Sequence, residues 1–207
     1  MQIPIYIQLR FYNRRSEMCL GKSGLSVIIV QRDIAINRIF WREEGMDFDK
    51  NLLMTYKKLV QTTELEKSYQ EFLRLFRFLR IELEKEMPDY RFQGNIVENG
   101  MDYSYFQFTN DTLKKKGLKI AVTFVHRDFQ FEVWLSGFNR KFQCRYYELL
   151  KDTKQPFFLT EDPNRSDYIL RIPLDQTMDI SDGGRVLSEI KEASLRLLGY
   201  MEGVEAT

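Results

Sequence analysis

Apolar side chains recur with a helical period over the stretch that follows Met46. Asp47 is a suitable N-cap for a first helix, whose apolar positions follow the spacing i, i+4, i+8 and i+11. A second helix begins at a capping box between Thr63 and Glu66 and ends before Pro88, which cannot continue a helix. The sequence therefore predicts an N-terminal helix pair. Its apolar positions are Phe48, Leu52, Tyr56 and Leu59 in the first helix, and Leu65, Tyr69, Phe72, Phe76, Leu79 and Leu83 in the second.

An alternation of apolar and polar side chains, which is the period of a strand, replaces the helical period after Pro88. Four strands are predicted in succession. The first two are joined at the turn dipeptide Asn99-Gly100, and the third follows a basic turn at residues 114–116. A fifth strand comes after a loop that contains two prolines. The predicted strands cover residues 91–97, 101–108, 118–125, 129–135 and 168–172.

Helix signals return between and after the last strands. Asn139 is a suitable N-cap for one helix, and Ser181-Asp182 begin another. Helices at both ends of a run of consecutive strands are typical of an α+β domain with an antiparallel sheet. The predicted fold is therefore α+β, with an N-terminal helix pair, an antiparallel meander of four to five strands, and two C-terminal helices that pack on one face of the sheet.

Residues 1–45 differ from the rest of the chain in charge and in pattern. They carry seven basic and four acidic side chains, a net charge of +3, whereas residues 46–207 carry 24 basic and 26 acidic side chains, a net charge of −2. Two strand-like runs at 3–11 and 25–30 are too short to supply a core of their own. The predicted organisation is a single α+β domain over residues 46–207, preceded by an N-terminal extension.

Composition and charge narrow the range of partners. Apolar residues make up 43 % of the 207 residues and aromatic residues 14 %, which is a globular composition. A net charge of +1 gives no overall field that would attract nucleic acid or an anionic membrane, so neither is expected as a partner. No apolar run approaches the roughly 20 residues that span a bilayer. With no signal peptide and only two cysteines, the sequence predicts a cytoplasmic protein.

Three segments carry a resemblance to a known family. The segments are Asn99-Gly100-Met101-Asp102-Tyr103-Ser104-Tyr105-Phe106, Leu118-Lys119-Ile120-Ala121 and Phe131-Glu132-Val133-Trp134-Leu135-Ser136-Gly137-Phe138-Asn139-Arg140. Together with Tyr56-Lys57 and the helix of Tyr69, they make the chain resemble, over about residues 47–205, an uncharacterised bacterial family named domain of unknown function 7000. The resemblance implies a small cytoplasmic α+β domain and no assigned activity. It also implies that the chain begins near Met46, so residues 1–45 are either a private extension or upstream sequence translated from too early a start.

The candidate binding residues surround Glu132 and Trp134, which share the side of one predicted strand that points away from the core. Two positions apart on a strand, they lie about 7 Å from each other. A carboxylate beside an indole can bind a cation, an amine or a sugar hydroxyl. Alternatively, Glu132 pairs with a basic residue of a neighbouring strand, and Trp134 packs under a helix. Adjoining strands and the helix start that follows them can bring further polar residues to this pair. The candidate set is Asp102, Tyr105, Glu132, Trp134, Asn139 and Arg140.

The sequence lacks the common catalytic patterns. Asp102 and Glu132 resemble the acidic ligands of metal-dependent nucleases, but the Lys expected two residues after the Glu is replaced by Trp134. His126 is the single histidine, which excludes a multi-histidine zinc site, and its place in a turn between strands is typical of an exposed residue. No catalytic residue, metal ligand or cofactor is therefore predicted.

Phe78 and Ile81 are the candidate interface residues. They lie roughly 140–160° from the centre of the apolar arc of the second helix, so a single core contact does not cover them. Either another element, such as the first helix, covers them, or the second subunit of a homodimer does.

Two classes of function follow from these patterns. The favoured one is a binding or interaction domain without catalytic machinery, whose partner is a protein or a small molecule. The alternative is an enzyme or ligand-binding protein with a pocket around Asp102, Glu132 and Trp134. The environment of Glu132 discriminates between the two, because a concave pocket favours a ligand site and a packed or ion-paired carboxylate favours the interaction domain.

Overall fold

The computed structural model of the chain describes residues 47–204, and the predicted extension over residues 1–45 lies outside this range. The fold is α+β, as predicted, with five helices and six strands in the described part. In chain order the elements are α1 Lys50–Thr62, α2 Leu65–Glu86, β1 Arg91–Asn99, β2 Tyr103–Thr109, α3 Asp111–Lys116, β3 Leu118–Val125, β4 Gln130–Gly137, α4 Arg140–Leu150, β5 Phe158–Leu159, β6 Leu170–Pro173 and α5 Gly183–Glu202.

The six strands form one antiparallel sheet with the order β1-β2-β3-β4-β6-β5. The first four strands pair with their neighbours in sequence, which confirms the predicted meander. Strand β6 pairs with β4, and the two-residue β5 lies outside it at the edge. The sequence predicted four to five strands because β5 is too short to show any periodicity.

One face of the sheet packs against α2 and α5 to form the core. Phe76 of α2 is fully buried, and its ring lies 5.3 Å from Phe106 and 5.8 Å from Phe131, measured between centroids. The apolar positions of α5 belong to the same cluster, and so do Tyr146 and Leu150 of α4. Both predicted C-terminal helices therefore contribute to the core, and α2 joins them.

Helix α1 contributes no buried residue. Its N-cap is Asp49, whose carboxylate accepts hydrogen bonds from the backbone N–H groups of Asn51 and Leu52. The predicted cap at Asp47 is therefore wrong by two residues. The predicted capping box between Thr63 and Glu66 is also wrong. The Thr63 hydroxyl accepts from the N–H of Leu65 instead of that of Glu66, and it donates to the carbonyl of Leu59 in the preceding helix.

The predicted turn between β1 and β2 is present. The N–H of Asp102 donates to the carbonyl of Asn99 at 2.9 Å, and Gly100 and Met101 between them have φ values of 58° and 65°. Two successive left-handed residues are the geometry of a type I′ turn, which matches the twist of the strands it joins. The predicted basic turn at residues 114–116 is instead the end of the short helix α3, capped by Asn110.

Candidate functional site

The candidate site lies on the sheet face opposite the core. In the register of the central strands, Glu132 of β4 pairs with Thr123 of β3, and Thr123 pairs with Tyr105 of β2. Trp134 lies two positions further along β4, on the same face. The structure therefore places three of the predicted residues, Tyr105, Glu132 and Trp134, on one side of neighbouring strands.

Glu132 is almost completely removed from solvent, with 1 % of the residue exposed. One carboxylate oxygen accepts a hydrogen bond from Trp134 Nε1 at 2.5 Å, and the other accepts one from Arg171 Nη1 at 2.6 Å. Arg171 lies on β6, where it pairs in register with Trp134. Each oxygen of the carboxylate is thus engaged by a donor from this chain, and Arg171 balances its charge.

Aromatic rings surround the guanidinium of Arg171. Its central carbon lies 5.4 Å from the ring centroid of Tyr168 and 5.7 Å from that of Phe158. Both distances are within the range of a cation–π interaction. Arg171 is therefore positioned from two directions, by the Glu132 carboxylate and by the two rings, which fixes the edge strands β5 and β6 against β4.

A layer of rings extends over this face from Trp134. Its ring lies 5.3 Å from Tyr103 on one side and 5.3 Å from Tyr168 on the other, measured between centroids. Trp134 itself is buried, as are Ala121 and Thr123 on the neighbouring strand. The rings therefore form a second, smaller packed layer on the polar face of the sheet.

Asp167, which precedes β6, is a second polar centre. Its carboxylate accepts a hydrogen bond from the Tyr103 hydroxyl at 2.6 Å and lies 3.5 Å from Arg140 Nη2. Burial, and then the bond to Asp167, raise the pKa of Tyr103 well above its ordinary value. Burial lowers the pKa of Lys119, and the attraction of Asp167 opposes that change. Ser136 donates to the backbone carbonyl of Asp167 at 2.7 Å.

The other predicted residues have other partners, although Arg140 lies beside Asp167. Asn139 caps α4 by accepting a hydrogen bond from the Phe142 N–H. Arg140 donates to the carbonyls of Pro163 and Ser166 and holds the loop before β6. Asp102 is exposed in the β1–β2 turn.

Asp102 is not brought together with Glu132. It lies in the turn three residues before Tyr105, next to β2, which is two places away from β4 in the sheet. Strand geometry puts such positions about 14 Å apart, with an odd offset that turns the two side chains to opposite faces. The pair of acidic ligands that a nuclease site requires is therefore not formed by these two residues.

Sequence reasoning missed Arg171 and Asp167. Arg171 has a weak signal, because it falls on the polar positions of the predicted fifth strand, yet nothing in the sequence says which strand lies beside it. Asp167 lies in a loop and has no periodic signal. Within residues 47–204, no three His, Cys, Asp or Glu side chains are grouped closely enough to hold a metal ion.

His126 belongs to a separate cluster at one end of the sheet. It is half-buried, so the prediction of an exposed turn residue is wrong. Its Nε2 lies 2.9 Å from the Ser104 hydroxyl, and its ring lies 5.0 Å from that of Phe72. Burial lowers the pKa of His126, and the attraction of Glu98 opposes that change. Burial, together with a hydrogen bond to Glu98, raises the pKa of Tyr69 to about 12.

Exposed apolar side chains lie on both N-terminal helices. Phe78 and Ile81 are exposed on the outer side of α2, where the ring of Phe78 passes close to Gly183 at the start of α5. Helix α1 does not cover these two residues. Its own apolar side is exposed as well. We call this surface the α1 stripe; it consists of Leu52, Tyr56 and Leu59 of the helix, together with Phe48 just before it.

No helix among residues 47–204 is long and apolar enough to cross a membrane.

Comparisons with known proteins give a family but no characterised relative. No curated protein and no solved structure matches the chain. The resemblance in the strand segments, however, is confirmed. A family model described as domain of unknown function (DUF7000) matches residues 49–205, which is most of the described fold, and the chain therefore belongs to that family.

Proposed function

We propose that this protein is a non-catalytic interaction domain whose contact surface is the α1 stripe. The observation that carries the proposal is the exposure of three large apolar residues on one side of α1 and of Phe48 just before the helix. Phe48, Leu52, Tyr56 and Leu59 are exposed by 72, 68, 63 and 43 %, respectively. At 100° per residue, the three residues within the helix fall within an arc of about 60°. Apolar side chains scattered singly over a surface are ordinary, but an aligned group of this kind marks a contact surface.

The rest of the fold does not use this stripe. Helix α1 has 13 residues, and an isolated helix of that length is marginal in water. The two longer helices, α2 and α5, bury their apolar sides in the core. Helix α1 keeps the same kind of apolar side but buries none of it. The contrast supports a helix whose apolar side meets a partner.

The state of Glu132 supports the non-catalytic part of the proposal. A catalytic carboxylate must lie within hydrogen-bond reach of a bound substrate. Both oxygens of Glu132 accept hydrogen bonds from Trp134 and Arg171, and the residue is buried. The carboxylate therefore has the character of a structural group that joins β4 to β6.

Substitution of the stripe tests the proposal. We expect Leu52→Glu and Tyr56→Glu to change the free energy of unfolding by less than about 0.5 kcal/mol, because neither side chain is buried. Urea unfolding at submicromolar protein measures this value without a contribution from association. The control is Leu79→Ala in α2, which is fully buried and is expected to lose about 2–5 kcal/mol. If the stripe variants lose as much as the control, the stripe belongs to the core and the proposal is wrong.

A second candidate function is a small-ligand site on the polar sheet face. The observation that favours it is a pair of buried polar atoms beside Glu132, Thr123 Oγ1 and Arg171 Nε, that have no hydrogen-bond partner. Buried polar atoms are normally paired, and a small polar ligand would satisfy them. A thermal-shift screen with metals, nucleotides and sugars separates the candidates. A rise in melting temperature that Trp134→Phe abolishes favours the ligand site, whereas the interaction domain is expected to show none.

A further inference from the structure

We propose that His126 is a pH-sensitive latch, which holds the N-terminal end of α2 against the sheet while the imidazole is neutral and releases it when the imidazole takes up a proton. The unit that is released consists of α1 and the first two turns of α2, residues 50–72. No residue of the α1 stripe belongs to the latch, which is therefore independent of the proposed function.

The N-terminal end of α2 is the weakly held part of that helix. Its buried residues begin at Phe76 and end at Leu83, in the C-terminal half. Before them, Tyr69 and Phe72 are only half-buried, and the N-cap residue Glu64 makes no side-chain hydrogen bond to the helix. Helix α1, which precedes this end, buries no residue. Few buried side chains and an incomplete cap are typical of a segment that opens locally while the core stays folded.

The start of α2 meets the sheet at His126. The imidazole ring lies 5.0 Å from the ring of Phe72, 6.0 Å from that of Tyr69 and 5.2 Å from that of Phe124 at the end of β3, measured between centroids. Its Nε2 lies 2.9 Å from the hydroxyl of Ser104 on β2, a residue that is fully buried. The imidazole thus lies between the first turns of α2 and two strands of the sheet.

The titratable groups that face the imidazole come from α2 and β1. The Tyr69 hydroxyl donates to the Glu98 carboxylate at 2.6 Å. Burial and this bond raise the pKa of Tyr69 to about 12, so Tyr69 stays protonated where histidine titrates. The side chains that β2 and β3 present to the ring are uncharged, and Arg127 and Asp128 of the adjoining turn are exposed. Burial lowers the pKa of His126, and the attraction of Glu98 offsets only part of that change.

Opening of the latch changes the affinity of His126 for a proton. In the open form the imidazole is in water, where its pKa returns towards the ordinary value of 6.5. Above that pH the imidazole is neutral in both forms. Below it, the open form takes up a proton that the closed form resists, and the equilibrium shifts towards opening. The shift cannot exceed a factor of about ten for each pH unit, which sets a limit of about tenfold at pH 5.5.

Hydrogen exchange of the full chain at pH 7.5 and 5.5, corrected for the intrinsic effect of pH on exchange, tests the latch. At pH 7.5 we expect the amides of residues 65–72 to exchange faster than those of residues 76–86, because they exchange by local opening. At pH 5.5 the protection of residues 65–72 should fall by up to about tenfold in the wild type and by clearly less in His126→Gln, which does not titrate.

Two results of this experiment overturn the latch. If residues 65–72 are as protected as residues 76–86 at both pH values, the start of α2 does not open on its own. If residues 65–72 do open locally but respond to pH equally in the wild type and in His126→Gln, the local opening does not expose His126. The histidine then titrates only when the whole chain unfolds.

Tyr69→Phe is the matched control. It removes the hydrogen bond to Glu98 but keeps the imidazole and the ring that packs on it. We expect it to speed the exchange of residues 65–72 at both pH values by a similar factor and to keep the response to pH. Loss of that response in Tyr69→Phe would assign it to the bond between Tyr69 and Glu98 and overturn the latch.

A direct titration keeps the test independent of how well His126→Gln folds. His126 is the single histidine of the chain, so the Cε1–H signal of its imidazole can be followed by NMR in the wild type. We expect its pKa to lie below 6.5, as the latch requires. A measured value at or above 6.5 overturns the latch, because protonation would then not favour the open form.

Discussion

Glu132 and Arg171 join two strands through a charge that has been moved out of water. Desolvation of a carboxylate is costly, and the cost is offset only where donors replace the lost hydration. Here Trp134 supplies an N–H and Arg171 supplies a charged N–H, while the rings of Tyr168 and Phe158 surround the guanidinium. Removal of Arg171 leaves the buried Glu132 carboxylate without a compensating charge, whereas Arg171 itself is partly exposed. The residues are therefore best considered as one unit.

We expect Glu132→Gln to lower the free energy of unfolding by about 1–3 kcal/mol, because the amide cannot neutralise Arg171 and turns an N–H₂ group towards it. Urea unfolding measures the loss. A double-mutant cycle with Arg171→Gln is the control, and the double variant should lose less than the sum of the single variants if the two side chains are coupled. A Glu132→Gln variant as stable as the wild type contradicts a structural role and favours the ligand site.

His126 makes the stability depend on pH. Burial lowers its pKa in the folded chain below the ordinary value of 6.5, so the folded state binds its proton less readily than the unfolded state. As pH falls below about 6.5, the unfolded chain takes up a proton that the folded chain does not, and the free energy of unfolding decreases. We expect a larger decrease between pH 7.5 and 5.5 in the wild type than in His126→Gln.

Urea unfolding at the two pH values measures the difference. The glutamine can still hydrogen-bond to Ser104 but does not titrate, so it subtracts the contribution of the carboxylates that also titrate in this range. Equal decreases in the wild type and the variant would show that His126 titrates as it does in the unfolded chain.

At the scale of the elements, periodicity predicted the helices and strands that pack against their neighbours in sequence. Strand β3 occupies the predicted residues, and β4 and α2 differ from the prediction by one or two residues at their ends. Alternation is strong in β3 and β4 because one face packs on the core, so every second residue is apolar. The cap of α4 at Asn139 is confirmed for a related reason, since N-caps depend on local sequence.

Elements without a periodic or local signal were missed or misplaced. Strand β5 has two residues, and α3 has six, too few for either period to appear. The capping box failed because Thr63 finds an acceptor in the helix before it, at Leu59. Helix α1 was predicted from an amphipathic pattern, but the pattern does not say whether the apolar side is covered.

The candidate site was predicted in part, because the sequence shows the face of a strand but not which strand lies beside it. The period of β4 places Glu132 and Trp134 on one face, and the structure bears this out. The contact of Glu132 with Arg171 depends on β6 lying beside β4, a pairing between residues nearly 40 positions apart in sequence. Asp102 was included because its strand adjoins the site, and the register moves it away.

At the scale of the whole molecule, the described fold has a core that is independent of α1. The fully buried apolar residues run from Phe76 to Met201, and the side chains packed around them from Phe72 to Val204. Helix α1 precedes all of them and contacts α2. The fold is thus a sheet with helices on one face and a ring layer on the other, preceded by a helix whose apolar side is exposed.

This arrangement predicts that the domain folds without the residues that precede it. We expect a chain that begins at Met46 to keep its free energy of unfolding within about 2 kcal/mol of the full chain, because the described core and the family match both lie after that residue. A chain that begins at Thr63, and so lacks α1 as well, is the matched comparison. It should fold with similar stability, because α1 contributes no buried residue. Urea unfolding of both chains measures the two stabilities. A loss above about 2 kcal/mol in the first chain would show that residues 1–45 supply part of the fold.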